Sequence, residues 1–354
     1  MRKAFSKAFL VTSAAVGALS SGVLQAEEAK LVQTNLVSDI AGLAVVTDAN
    51  LKNPWGVSHS PTSPFWVSNQ GTSTATLYMV TDETDVTKLA LTVAIPKTAA
   101  GPQGPTGQVN NTNTECFPVS VSSGGDGKSA HFIFANLNGT ISAWDMGPMA
   151  FVQAMGTTGT VYTGLAINGG QTRLYAANTS LGRIDFYDCS FKPVNLGSDA
   201  FVDPTLPKGL VPFNVQDIGG DIYVVYAPPG RAAEISADHG QGAVAIFDED
   251  GNFIKELVAG SNLAAPWGIT IAPPGFRRFS NDCWSATSAL STAKSTPSSR
   301  ATENCTGRSQ STPAKTSQAA FGRSSSGSAA TTAAPMFFTL LTGSTARRMG
   351  YSAP

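Results

Sequence analysis

The chain has 354 residues, with 23 lysines and arginines against 24 acidic residues and a formal net charge of -1. That balance, with no basic stripe, excludes an ordinary nucleic-acid binder. Only 13% of residues are charged while glycine (35) and proline (21) are plentiful, which fits an all-β chain with many tight connections.

Residues 1–26 read as an export signal. Arg2, Lys3 and Lys7 form a positive start, Phe9 to Val23 is apolar and rich in small residues, and Gln25-Ala26 before Glu27-Glu28 offers a cleavage point. The apolar stretch is too short and too rich in serine and glycine to span a bilayer well. The mature chain is expected to be exported, periplasmic or extracellular, soluble and monomeric. Export permits disulfides. Cys116 and Cys189 either pair or stand as two separate thiols, and Cys283 and Cys305 lie in an anomalous tail.

Leu31 to Ala44 reads as a strand and turn with no partner nearby, the kind of N-terminal strand that completes the last blade of a closed ring. A first repeat follows, with strands near Asn53–Ser60, Pro64–Asn69, Gly71–Val80 and Leu89–Ile95. A second runs from Phe117–Val121 through His131–Asn136 to Thr140–Trp144, its last two arms joined by Asn138-Gly139, a strong hairpin signal. The third has arms at Gly164–Asn168, Leu174–Asn178 and Arg183–Tyr187. The fourth has arms at Phe213–Asp217, Ile222–Ala227, Ala243–Asp248 and Phe253–Leu257. A fifth opens at Pro266-Trp267-Gly268-Ile269, almost repeating Pro54-Trp55-Gly56-Val57.

The anchors Trp55, Phe117, Gly164, Phe213 and Trp267 stand 62, 47, 49 and 54 residues apart. A period near 50 with four short strands per repeat predicts an all-β chain of β-propeller blades spanning 27–282. A β-sandwich does not return to the same aromatic-glycine opening at that spacing. A helical solenoid is excluded because no 3.6-residue periodicity is sustained.

From Cys283 to Ala334 serine, threonine and alanine dominate, just where the fifth blade needs its second strand. Read plainly, 283–354 is a low-complexity, disordered tail. A slipped reading frame explains it better. Shifting the codon boundaries forces Leu-Leu from Asp282-Cys283-Trp284 and permits the missing strand and asparagine-glycine turn beyond it. It also permits a tryptophan straddling Phe321 and Gly322, in phase with Trp267. The expectation is that about the last 72 residues are out of frame, which disrupts blades five and six.

The stretches Asn35-Leu-Val-Ser-Asp39, Asn53-Pro-Trp-Gly-Val57, Phe134-Ala-Asn-Leu-Asn-Gly-Thr-Ile-Ser-Ala-Trp144 and Ala265-Pro-Trp-Gly-Ile-Thr-Ile-Ala-Pro273 resemble an uncharacterised family of exported bacterial proteins related to NHL-repeat propellers. The resemblance covers residues 31 to 282. It implies a six-bladed ring and export, and it transfers no activity.

Propellers take ligands at the mouth of the central channel. Candidates there are Trp55, His59, Asn69, Asn136, Asn178, Asn214, Asp217 and Trp267. The regular recurrence of Asn69, Asn136 and Asn178 before each turn points to a structural duty, because asparagine satisfies turn backbone groups. Trp55 and Trp267 more often pack between blades than stack on a ligand. His59, His131 and His239 are too scattered for a zinc motif. There is no Gly-x-Ser-x-Gly elbow and no glycine-rich phosphate loop. Two readings follow. The first is a cofactor-free binding scaffold for a small molecule or a protein, with recognition loops at Ala99–Glu115 and Pro228–Gly240. The second is a calcium-dependent hydrolase, lactonase or lyase with an axial site drawing on Asn214 and Asp217. Under that second reading Glu115 and Asp217 compete with a role as solvated loop residues.

Overall fold

The computed structural model describes residues 31–82, 84–99, 101–260 and 263–271, together with short strands at 283–287, 303–304 and 338–343. The leader read at 1–26 lies outside these residues. So does most of the segment read as out of frame.

Four antiparallel four-stranded sheets follow one another, each pairing its strands in chain order. Blade one holds β3 (Pro54–Ser58), β4 (Phe65–Asn69), β5 (Thr74–Val80) and β6 (Val86–Ala94), after β1 (Leu31–Ser38) and β2 (Val46–Thr47). Blade two holds β7 (Pro105–Asn110), β8 (Phe132–Asn136), β9 (Thr140–Trp144) and β10 (Phe151–Met155). Blade three holds β11 (Tyr162–Ile167), β12 (Leu174–Asn178), β13 (Arg183–Tyr187) and β14 (Pro193–Val194). Blade four holds β15 (Val211–Ile218), β16 (Asp221–Ala227), β17 (Ala243–Phe247) and β18 (Phe253–Ala259). A short helix α1 (Arg231–Ile235) sits between β16 and β17. The fifth sheet joins β19 (Pro266–Ile271), β20 (Cys283–Thr287) and β21 (Glu303–Asn304), and the sixth sets β1 between β2 and β22 (Phe338–Gly343). The fold is a β-propeller.

A second strand of blade five does form, at β20. It pairs backbone to backbone with β19, which needs no strand-forming pattern: an edge offers unpaired N–H and C=O groups to any extended segment. In the sixth sheet β1 pairs antiparallel with β22, so the chain's first described strand shares a sheet with its last.

The innermost strands are β3, β7, β11, β15 and β19, and they share one sentence of sequence: Pro54-Trp55-Gly56, Pro105-Thr106-Gly107, Tyr162-Thr163-Gly164, Pro212-Phe213-Asn214 and Pro266-Trp267-Gly268. Every one of them carries a register shift at this position against its neighbour. A bulge there raises the local twist and re-aims a side chain. The glycine is needed because adjacent inner strands nearly touch. A Cβ on Gly56 would stand 2.5 Å from the Thr106 carbonyl, and one on Gly164 would collide with Asn214.

This register corrects the sequence reading of blade two. Its inner strand is β7, not 117–121, and the repeat positions are Trp55, Thr106, Thr163, Phe213 and Trp267, spaced 51, 57, 50 and 54. Phe117 instead sits in the connection after β7 with φ +60°. Its amide donates to the Cys189 carbonyl at 2.7 Å, and its ring lies 5.1 Å from that of Phe191. Phe117 and Val119 of the run that looked like a strand are buried because they cover the seam of blades two and three.

Between blades the sheets bury their facing side chains. Trp66 stacks on Phe132 at 4.0 Å between blades one and two. Ile133, Tyr162, Leu165 and Leu174 fill the second seam, and Tyr175, Phe201, Val224 and Phe247 the third. Each such side chain contributes about 1.5–3 kcal/mol through burial.

Candidate functional site

Each inner strand starts at one face of the ring and the second strand returns to it, as the pairing of Pro54 with Asn69 and of Tyr162 with Asn178 shows. This is the mouth face. The first-to-second and third-to-fourth strand turns lie at the rear face.

At the mouth three inner strands bring their second-position rings together. Trp55 and Trp267 stand 4.7 Å apart, edge to face at 66°, and Phe213 lies 6.1 Å from each. Ala227, Ala237 and Ala265 complete the cluster. Phe213 is buried while both tryptophans are half-buried. Trp55 Nε1 is buried without a hydrogen-bond partner among the described residues. An unpaired buried donor costs about 1–3 kcal/mol, so it calls for a reason. Ala237 comes from the connection after β16, which forms α1. Arg231 Nη1 donates there to the buried Glu234 carboxylate at 2.8 Å. The loop read as a recognition element thus folds over the ring cluster. The other loop so read, Ala99 to Glu115, contains β7 (Pro105–Asn110) at its centre.

Where the second position is threonine, the side chain ties blades instead. Thr106 Oγ1 donates to the Tyr162 carbonyl at 2.9 Å and Thr163 Oγ1 to the Phe213 carbonyl at 2.6 Å. Asn214, at the third position of β15, does the same: its Nδ2 donates to the Trp267 carbonyl at 2.9 Å. These are the links that hold the inner ring.

The recurrent asparagines are consumed within their blades. Asn136 is fully buried, and its Nδ2 donates to Thr140 Oγ1 and Ser142 Oγ, both at 3.1 Å. Asn178 Nδ2 donates to Thr160 Oγ1 and Asp185 Oδ2, while its Oδ1 accepts from the Leu181 amide. Asn69 Nδ2 donates to Thr74 and Thr76, and Thr76 passes the chain on to the Tyr78 hydroxyl and the buried Asp48. Asn69 Oδ1 and Asn136 Oδ1 are buried without partners among the described residues.

The remaining candidates lie at the rear. His59 is exposed, its ring 4.8 Å from that of Phe65. Asp217 caps two turns, accepting from the Gly169 and Gly220 amides, each at 3.1 Å. Burial pushes its carboxyl above the usual range, and the neighbouring charges of Glu249 and Asp221 push the same way. Glu249 accepts from Asn168 Nδ2 at 2.9 Å, and Arg173 Nη1 pairs with Asp250 at 2.7 Å. Glu115, His131 and His239 are exposed. The structure therefore groups Trp55, Trp267 and Asn214 and parts them from His59 and Asp217. Among the described residues no three histidine, cysteine or acidic side chains converge as a metal-holding group.

Cys116 and Cys189 form a disulfide, with Cα atoms 4.8 Å apart, that joins rear-face loops of blades two and three. Among the described residues no helix is long and apolar enough to cross a membrane.

Sequence reasoning missed Phe213 as a site residue, although Pro212-Phe213 repeats Pro54-Trp55 and Pro266-Trp267. It had no signal for Glu249, which meets Asn168 and Arg173 only through the packing of blades three and four.

Repeated blades, a belt of inner-strand links and a single aromatic mouth define the propeller class. No family model matches the chain. An uncharacterized protein of Acanthamoeba polyphaga mimivirus is 28% identical over 250 residues, covering 67% of this chain and 60% of that protein. A second from the same virus is 27% identical over 253 residues, covering 67% and 64%. The chain thus spans less than two thirds of the length of these curated relatives. They are viral, whereas the resemblance seen in the sequence implied bacterial proteins. Among solved structures, a catalytically inactive variant of virginiamycin B lyase from Staphylococcus aureus with quinupristin has a TM-score of 0.41 at 13% identity, covering 66% of this chain and 63% of its own. Hydrazine synthase of Kuenenia stuttgartiensis has a TM-score of 0.43 at 17% identity, covering 70% and 59%.

Proposed function

We propose that this propeller is an exported binding scaffold that receives a small molecule or a segment of another protein at its mouth. The observation that carries this reading is the convergence of Trp55, Phe213 and Trp267 beside small side chains, with one indole donor left unpaired. An apolar concavity with few polar groups is what ligand sites commonly look like. The Cys116–Cys189 disulfide supports export, because such bonds persist in oxidising compartments. The family reading, exported and NHL-related, belongs to the same proposal, as do the signal segment 1–26 and the out-of-frame segment after 282. Sequencing the gene across the codons for Phe279 to Ser288 tests the last point. An in-frame read there would overturn it.

The rival reading, a calcium-dependent hydrolase or lyase, needs oxygen ligands converging on the axis, and the axis at the mouth is aromatic. The test is a thermal-shift screen of the intact chain beside its Trp267→Ala variant, with parallel assays on lactone and ester substrates with and without calcium. Ligands that raise the wild-type Tm but not the variant's support the scaffold. Calcium-dependent turnover that survives in Trp267→Ala would overturn it.

A further inference from the structure

Beside the aromatic cluster the mouth face carries a run of planar amides that the site description has not used. Asn53, two residues before Trp55, donates from Nδ2 to Gln70 Oε1 at 2.6 Å. Gln70 Nε2 donates to the Gln103 carbonyl at 2.7 Å, crossing from blade one to blade two. Asn138 Nδ2, in the hairpin turn of blade two, donates to Gln103 Oε1 at 3.1 Å. All four side chains are half-buried. Gln103 and Asn138 spend their amides on Thr98, Gly101, Pro96 and Thr140, so the pair left to face a ligand is Asn53 and Gln70. The backbone beneath them is strained into place. Asn53 and Ala265, each just before an inner-strand proline, hold φ at +47° and +46°. Residues before proline avoid helical conformations and non-glycine residues avoid positive φ, and such strain gathers at ligand clamps.

Several charges at this face are paired. Lys52 meets Asp39 at 2.6 Å, Arg183 meets Asp185 at 2.6 Å, and Arg231 meets Glu234 at 2.8 Å. What the face offers beside them is half-buried aromatic surface and a pre-positioned amide pair that can both donate and accept. A pyranose ring matches that set: it has an apolar C–H face that packs on an aromatic ring and a rim of hydroxyls that donate and accept at once.

Resting on the mouth reading above, we infer that the ligand class is a neutral carbohydrate chain. One sugar ring packs on the half-buried Trp55 and Trp267 rings, and the next lies along the amides of Asn53 and Gln70. Amides already bonded to one another lose little freedom when a hydroxyl arrives, so each contact is obtained at low ordering cost.

The test is isothermal titration of the full chain with cellohexaose, chitohexaose and maltohexaose, followed by Trp55→Ala, Gln70→Ala, Asn53→Ala and His59→Ala. The expected result is binding of at least one hexasaccharide, weakened at least about tenfold by Trp55→Ala and about fivefold by Gln70→Ala, with His59→Ala at the rear unchanged. Gln70 and Asn53 are not core residues, so these two variants keep the test decisive if Trp55→Ala does not fold. Saccharide binding untouched by the Gln70 and Asn53 changes would overturn the amide subsite. No saccharide binding, together with uptake of the neutral aromatic probe Nile red that Trp267→Ala abolishes, would overturn the carbohydrate class and keep the mouth. If neither saccharide nor probe binds, the mouth reading fails as well.

Discussion

The two faces of this ring are built from the same repeat and held by different chemistry. At the rear, loops of adjacent blades are fastened to one another. The Cys116–Cys189 disulfide joins blades two and three. Gln171 Oε1 accepts from the Thr112 and Asn113 amides across the same seam. Asn168 with Glu249 and Arg173 with Asp250 join blades three and four. At the mouth the links lie deeper, along the inner strands, and use a threonine or asparagine side chain against a backbone carbonyl. The rings and amides above those links are left with surface to offer. A propeller fastened at one face can hold the other open without loosening its blades.

The sharpest way to break this contrast is to cut the rear fastening. Replacing Cys116 and Cys189 by serine releases a cross-link across 73 residues of sequence separation, and about 4 kcal/mol of stability is expected to go with it. Denaturant titration with and without reductant checks this. An unchanged midpoint would mean the rear is not held as described.

Next comes the chain of groups that runs through blade one between the faces. Lys88 pairs with the buried Asp48 at 2.6 Å. Burial alone would raise the Asp48 carboxyl, but the Lys88 ammonium, the Tyr78 hydroxyl and the Asn50 amide together hold it below its usual range. Lys88→Met leaves that carboxylate buried without its cation and is expected to cost about 2–3 kcal/mol. Because the folded pKa is lowered, the wild-type contribution is complete above the unfolded value near 3.9 and disappears as pH falls below it. A melting series from pH 7 to about 2.5 on both proteins shows whether the difference closes in acid.

The mouth-face asparagines offer a third test. Asn136→Ala leaves the buried Ser142 hydroxyl without its Asn136 partner, while Thr140 keeps its bond to Asn138, and a loss of about 1–2 kcal/mol is expected. Full stability with lost ligand binding would transfer Asn136 from the frame to the site.

The smallest effect belongs to the rear carboxylate. Asp217 carries a raised pKa through burial and the nearness of Glu249 and Asp221, so its ionised form is the disfavoured one in the fold. Stability is greatest while it is protonated and declines as pH climbs from about 4 through the raised value, the reverse of Asp48. Asp217→Asn is expected to flatten that decline and to add up to about 1 kcal/mol at pH 7, less whatever the Gly169 and Gly220 bonds lose. A steeper pH profile in the variant would contradict this account.

The ring was legible in the sequence because blade signals are local. Alternation, the Asn138-Gly139 turn and the return of Pro-Trp-Gly each sit within a few residues, and the strands of blades one, three and four fall close to where the pattern puts them. The recurring asparagines were also readable as turn residues, since their partners Thr140 and Thr74 lie four or five positions away. What local pattern cannot supply is which of two apolar runs becomes the inner strand. Pro105-Thr106-Gly107 takes that place because only a residue without a Cβ tolerates the approach of the neighbouring inner strand. Phe117 is then left to cover a seam.

Length, composition and repeat thus determined the class of fold, the hairpin turns and most strands of blades one, three and four. Tertiary structure decided the pairing of Cys116 with Cys189, the face on which each candidate stands, and the meeting of Trp55, Phe213 and Trp267 from three distant repeats. The reason is physical. Strands and turns are stabilised by neighbours in sequence, whereas a mouth exists only once the inner strands have been drawn around a common axis.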